Sequence, residues 1–211
     1  MTAGPSSEAF FDQVAGQWDE LRASMFSDAL RDRAIDEAGI SPGMLAADIG
    51  AGSGFMTEGL IKRGVRVIAV DQSEAMLDVI RQKFGADGAV DVRRGYAHDI
   101  PISDDDVDHV FANMYLHHVE KPAHAIREMV RILKPGGKLV ITDMDEHRFD
   151  FLRAEHHDRW MGFRREDVRS WLEQAGLTEV SVGASGETCE TTSAAESNHA
   201  TVSVFIASGI K

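Results

Sequence analysis

Asp48-Ile49-Gly50-Ala51-Gly52-Ser53-Gly54 closes a short apolar run that begins at Met44 and opens a segment of helical pattern, Phe55 to Lys62. A strand-to-helix turn this rich in glycine permits positive φ and lets the main chain approach a ligand closely. The helix that follows offers N–H groups with no partner of their own. Such a turn also serves plain βα connections, so its surroundings decide its meaning. The glycines stand at 50, 52 and 54, which departs from the Gly-x-Gly-x-x-Gly spacing of nicotinamide sites. Asp48 would also lie close to a pyrophosphate. Both features turn the reading away from a dinucleotide.

Outward from the turn, strands and helices alternate. Arg66 to Val70, Ala89 to Arg93, Val107 to Ala112 and Lys138 to Thr142 read as strands; Glu74 to Phe84 and Pro122 to Leu133 read as helices. This alternation predicts βαβ units in an α/β, doubly wound, mostly parallel sheet, with ligands at the carboxyl ends of its strands. Asp71 ends the second strand, where a carboxylate accepts hydrogen bonds from both hydroxyls of a ribose. Its rival role, capping the next helix, falls as readily to Ser73.

Before the sheet, Phe10, Phe11, Val14, Trp18 and Leu21 recur at helical spacing behind a cap at Ser6 or Ser7. A second helix is expected over Ser27 to Ala38, stopped by Gly39. Residues 1–40 are therefore expected as N-terminal cap helices and 41–211 as the main domain. Asp143 to Phe163, polar and rich in histidine, is expected as a cap insert. Arg165 to Gln174 reads as a helix, and Leu177 to Val182 and Thr201 to Ala207 as strands. The polar run SGETCETTSAAESNH between them is expected as a mobile loop.

With 211 residues, one domain is the prior. Lys plus Arg number 22 and Asp plus Glu 35, a net charge of −13, which argues against a nucleic-acid partner gripped by a broad basic surface. Cys189 is the only cysteine, so neither a disulfide framework nor a Cys-rich zinc site is possible, and a reducing, cytoplasmic setting is expected. The N-terminus lacks a secretory pattern. No apolar run approaches the ~20 residues of a membrane span, so no membrane insertion is expected.

Taken in order, AADIGAGSGF, VDQSEAML, RRGYAHDIP, NMYLHHV and REMVRILKPGGKLVITD resemble the class I S-adenosylmethionine-dependent methyltransferases, within them the ubiquinone/menaquinone methyltransferase type. The resemblance implies a Rossmann-like, seven-stranded sheet whose last strand is antiparallel, S-adenosylmethionine as cofactor, and methyl transfer to a small-molecule acceptor. It also implies roles. The main chain at Gly50, Ala51 and Gly52 would hold the methionine part, with Asp48 near its amino group and Asn113 beneath it. Asp71 would hold the ribose, and Gln72 and Met76 would lie against ribose and adenine. Ala97 and His98 would bracket the adenine, and Trp18 would wall the cofactor. Tyr96 stands where family members often carry Asp, which leaves the adenine amino contact to main chain, His98 or Asp99.

Methyl transfer requires an aligned acceptor, exclusion of water and, for some acceptors, removal of a proton. His117 and His118 follow the fourth strand and are the candidate catalytic residues, since imidazole titrates near neutrality; a structural role is equally open, and Tyr115 shares it. The chain has Asn113-Met114-Tyr115-Leu116 where methyltransferases of planar amino groups show Asn/Asp-Pro-Pro-Tyr. Asp143, Asp145 and His147 form an Asp-x-Asp-x-His set, but further ligands are missing; a solvated turn is expected and no metal is assigned. His156 and His157 read as surface, Phe163 and Trp171 as core, Asp104 to Asp108 as a solvated turn and Cys189 as incidental. Two alternatives stay open: a cofactor-binding sensor or partner subunit without transfer activity, and a nicotinamide-dependent oxidoreductase.

Overall fold

The computed structural model describes residues 7–85, 88–193 and 198–211. Helices α1 (Ser7–Val14), α2 (Trp18–Ala23) and α3 (Asp28–Ala38) precede the sheet. Then come β1 (Leu45–Ile49), α4 (Phe55–Lys62), β2 (Arg66–Asp71), α5 (Glu74–Phe84), β3 (Val90–Arg94) and β4 (Val107–Asn113). The chain continues with α6 (Pro122–Ile132), β5 (Leu133–Met144), α7 (Asp150–Glu155), α8 (Arg165–Gln174), β6 (Thr178–Thr192) and β7 (His199–Ile210).

The seven strands lie in the order β3-β2-β1-β4-β5-β7-β6. β1 pairs in parallel with β2 on one side and β4 on the other, so the order reverses at β1 and opens a crevice at the carboxyl ends of these two strands. β7 runs antiparallel to both β5 and β6. One face of the sheet buries Ala46, Val67, Phe111 and Val140 under Ala34, Ile35 and Leu60. The other buries Ile49, Ile68, Val110 and Ile141 with Ile126, Met129 and Leu172. Near-continuous apolar strands are what a sheet covered on both faces requires.

Local signals explain the element ends. Ser27 caps α3 by accepting the Ala29 N–H at 3.2 Å, and Gly39 at φ 68° ends it. Ser73 caps α5 by accepting the Met76 N–H at 3.2 Å, which leaves Asp71 free of that task. Four expectations are corrected. The helix expected through Leu21 is broken by a 3-10 turn at Ala15–Gln17, where Gly16 weakens helix propensity; its possible cap Ser6 lies outside the described residues. Asp143 and Met144 are not insert but the buried last residues of β5. Asp108 is more than a solvated turn, because it accepts the Leu45 N–H at 2.8 Å and the Lys134 ammonium at 2.7 Å.

The fourth correction concerns the supposed mobile loop. Residues 185–192 extend β6 and pair with β7, Thr188 opposite Ser203 and Thr192 opposite His199; residues 194–197 lie outside the described set. The polar residues misled because only one face is buried. Ser185 and Cys189 turn inward while Thr188, Glu190 and Thr192 face water, the period-two pattern of a half-buried strand. Cys189 packs with Phe26, Leu30, Phe55 and Val202.

Candidate active site

The glycine turn is a set of left-handed residues held by β2. Gly50, Gly52 and Gly54 have φ of 71°, 52° and 90°. The N–H groups of Gly50 and Ala51 donate to the Val70 carbonyl at 2.9 and 3.1 Å. The Gly52 N–H donates to Asp71 Oδ2 at 2.8 Å, and the Ser73 N–H to Asp71 Oδ1 at 2.9 Å. A Cβ on Gly50 would lie 2.1 Å from the Tyr115 ring, and one on Gly52 would lie 3.5 Å from Trp18 Nε1. Gly50 therefore combines a backbone that L residues avoid with no room for a side chain.

Two carboxylates face the crevice. Asp48 is buried on β1, and its Oδ2 accepts the Thr57 N–H and hydroxyl at 2.9 and 2.6 Å. Burial, against those two hydrogen bonds and reinforced by Asp71, pushes its carboxyl up to about 7. Burial also raises Asp71, against the Ser73, Gly52 and Gln72 main-chain bonds. Met114, at φ 49°, follows β4 in a conformation uncommon outside glycine, and Thr142 donates to Asn113 Oδ1 at 2.7 Å.

One cavity gathers Trp18, Asp48, Gly50, Ala51, Gly52, Asp71, Gln72, Met76 and Asn113. Ala97 and His98 line a neighbouring hollow, which also has Gln72, Tyr115 and His118 in its wall; there Tyr96 stacks on His98 at 5.8 Å. The sequence reading missed Arg22, Phe26, Phe55 and Met56, which line the main cavity. The Arg22 guanidinium lies 3.9 Å from the Phe55 ring centroid. Arg22 is four residues after Trp18 on α2, so helical spacing was the available signal.

The N-terminal helices cover this cavity. Ser53 donates to Asp19 at 2.6 Å, Ser73 to Asp12 at 2.6 Å and Arg94 to Glu8 at 2.8 Å, while Lys83 pairs with Asp19. Phe11 meets Trp18 edge-on at 5.2 Å and His118 at 5.1 Å.

A second, mostly apolar pocket adjoins the cavity and shares Phe11, Trp18, Phe26, Met114 and His118 with it. Met25, Met144 and Leu152 add to its apolar wall, and His117, His156 and Asp158 form a polar corner. His117 Nδ1 lies 2.7 Å from Asp143 Oδ1. Asp143 is thus a buried partner of imidazole, not a solvated turn; Asp145 pairs with Arg165 at 2.6 Å, and His147 accepts the Phe149 N–H at 3.3 Å. The Asp-x-Asp-x-His residues do not converge. His156 and His157 are half-buried, the latter 4.8 Å from the Phe10 ring, so neither is plain surface. Phe163 and Trp171 pack edge-on at 5.6 Å, within and against the core.

The two adjacent histidines differ in charge. Burial disfavours the His117 cation, but Asp143 and Asp158 outweigh it and push the imidazole up to about 9. His118 is held well below its ordinary range by burial and by the charge on His117, against a hydrogen bond to the His157 main chain. At neutral pH His117 is an imidazolium and His118 is neutral.

A doubly wound sheet with a carboxylate-lined crevice at its switch point defines a Rossmann-like protein for a nucleoside cofactor. Residues 47–141 match the protein family described as "Methyltransferase domain". A demethylmenaquinone methyltransferase of Clavibacter sepedonicus is 34% identical over 139 residues, 64% of this chain and 56% of that protein. Another, of Renibacterium salmoninarum, is 28% identical over 191 residues, 81% of this chain and 79% of that one. The chain thus spans little more than half the length of the first relative. The Haemonchus contortus phosphoethanolamine N-methyltransferase 2, solved with S-adenosyl-L-methionine, shares the fold with a TM-score of 0.69 at 18% identity, over 86% of this chain and 52% of that one. Residues 47–141 thus resemble a methyltransferase domain, and the fold is shared with a methyltransferase that binds S-adenosylmethionine.

The cavity suits that group. Gly50 leaves the turn without a side chain where one would collide. Asp71 Oδ2 accepts the Gly52 N–H and Oδ1 the Ser73 N–H, and with about four lone-pair sites the carboxylate keeps accepting capacity for hydroxyls.

Proposed function

We propose that the chain transfers the methyl group of S-adenosylmethionine to a small, apolar acceptor. The observation that carries this reading is the wall shared between the carboxylate-lined cavity and the apolar pocket: Phe11, Trp18, Phe26, Met114 and His118 belong to both. Displacement at carbon needs two partners held in contact and kept from water. The two demethylmenaquinone methyltransferases support an acceptor that carries an apolar ring system.

Asp71 would hold the ribose hydroxyls, with Gln72 and Met76 against ribose and adenine, and Ala97 and His98 at the outer adenine edge. Asp48 would face the amino group, with Asn113 and the main chain at Gly50, Ala51 and Gly52 along the methionine part. When bound, the cofactor supplies an activated methyl group on a cationic sulfur. Trp18 and Phe11 present aromatic faces to that charge and cover the site. His117, already protonated, serves as a fixed positive charge. His118 is the member of the pair able to receive a proton from the acceptor.

Incubation with S-adenosylmethionine and a pool of apolar metabolites should release S-adenosylhomocysteine, measured by mass spectrometry. Asp71→Ala should weaken S-adenosylhomocysteine binding at least tenfold by calorimetry, and NAD should not bind. Binding without release in any pool would instead make the chain a cofactor-binding partner protein.

A further inference from the structure

The polar corner of the apolar pocket has a geometry that proton transfer alone does not require. His117 Nε2 lies 3.7 Å from Asp158 Oδ1, and His118 Nδ1 lies 3.8 Å from the same oxygen. One ligand atom from each of the three residues falls within 4.8 Å of the other two. All three side chains are withdrawn from solvent: His117 and Asp158 are 4% and 3% exposed. His118 Nδ1 and Asp158 Oδ1 have no hydrogen-bond partner among the described residues. Leaving a buried donor or acceptor unsatisfied is costly, so two such atoms 3.8 Å apart call for a shared partner.

We propose that His117, His118 and Asp158 form a site for one divalent first-row cation of the zinc class. Two imidazole nitrogens and one carboxylate oxygen are a donor set that such ions favour. Tetrahedral coordination at the usual bond lengths puts ligand atoms roughly 3.3 Å apart; the two histidine nitrogens stand 3.7 and 3.8 Å from Asp158 Oδ1, and all three atoms lie within 4.8 Å of one another, so side-chain rotation must bring them together. The fourth position opens into the apolar pocket, where water or a polar group of the acceptor would complete the set. The surroundings are those of a supported site. Asp143 Oδ1, 2.7 Å from His117 Nδ1, fixes the ring so that Nε2 faces the corner; this is the carboxylate–histidine–metal arrangement that orients a ligand and strengthens it. The segment bearing Asp158 is fastened to the same turn: the N–H groups of Arg159 and Trp160 donate to the His117 carbonyl at 2.9 and 3.1 Å. His157, at φ 59°, turns the chain there. The Asp-x-Asp-x-His run of the sequence supplies one residue to this site, Asp143, and as a supporting partner rather than a ligand.

A bound ion would occupy His117 Nε2 and His118 Nδ1, so the metal-loaded protein is a distinct state from the metal-free one described above. The site does not depend on the identity of the methyl acceptor.

The test uses the full chain, freed of metal by chelator and titrated with zinc(II), with cobalt(II) as a spectroscopic probe. One equivalent should bind per chain, with a cobalt spectrum of low-symmetry, four- or five-coordinate type. Asp158→Asn and His118→Gln should each weaken binding more than tenfold, and Asp143→Asn by 10–100-fold. S-adenosylhomocysteine affinity, measured on Asp158→Asn and Asp143→Asn, whose side chains do not line the cofactor cavity, should stay within a few-fold of the parent and so separates loss of the metal from loss of the fold. Substoichiometric uptake overturns the proposal and leaves the corner to water. Binding unaffected by both ligand variants overturns it as well, because the ion would then sit elsewhere. Failure of cofactor binding in the unaltered protein would count against the methyltransferase reading and not against the metal site.

Discussion

Gly50 carries two constraints in one residue. Its φ of 71° costs an L side chain about 1–2 kcal/mol, and any Cβ meets the Tyr115 ring at 2.1 Å. Gly50→Ala should therefore lower stability by at least that amount in urea denaturation and weaken S-adenosylhomocysteine binding more than tenfold by calorimetry. Asp48 carries a pH signal. Burial raises its carboxyl to about 7, so below that pH the free protein holds it protonated. A cofactor bearing positive charge favours the carboxylate, and binding then expels the proton. Affinity should rise with pH up to about 7 and level off above it. Asp71, the other acid in the cavity, is raised in the same sense, while burial lowers both Arg22 and His118 from their ordinary ranges. Calorimetry from pH 5.5 to 8.5, read as wild type against Asp48→Asn, isolates the Asp48 contribution: the variant should bind more weakly and lose part of the slope.

Helices α1 and α2 are short, and the hydrogen bonds through Asp12, Asp19 and Glu8 hold them over the cavity. Partly exposed polar pairs of this kind are each weak, and Trp18 Nε1 would come within 3.5 Å of a Cβ placed on Gly52. A cover held this way opens more readily than the sheet beneath it. Hydrogen exchange in residues 7–23 should be fast in the free protein and slow clearly with S-adenosylhomocysteine, while β1, β2 and β4 change little. Equal protection of these helices with and without ligand would show them to be part of the fixed core. The β6–β7 hairpin shows the limit of composition as a guide. Its outer half is polar, yet alternate residues Ser185 and Cys189 are buried. Burial pushes the Cys189 thiol up to about 12, which makes it a packing residue with little nucleophilic character.

Across the whole molecule, cofactor binding and folding are linked, because the cavity is built from β1, β2, β4 and α2 together. A ligand at 100 times its Kd adds about 2.7 kcal/mol to stability. For a chain of this length that should raise Tm by roughly 5–10 °C with S-adenosylhomocysteine, and by much less in Asp71→Ala. The alternation of strands and helices, the glycine turn at Gly50 to Gly54 and the acid at Asp71 were legible in the sequence, because strand periodicity and turn chemistry are local properties. The mostly parallel sheet followed from the same alternation, the antiparallel β7 was implied by resemblance, and the strand order came from the structure. The strand character of residues 185–192 was not legible, since pairing with β7 imposes it; the break at Ala15–Gln17 had a local signal in Gly16, which the helical spacing of the apolar residues masked.

The sequence by itself determined the mostly parallel sheet, the glycine turn and the pair of carboxylates at the strand ends, for these depend on residue type and spacing within about thirty residues. Only the tertiary structure decided what the histidines are. His117 and His118 are adjacent in the chain, but one is charged and the other neutral, because Asp143 and Asp158 reach them from 26 and 40 residues away. Charge state and ligand geometry depend on which groups share a buried space, and the fold alone brings those groups together.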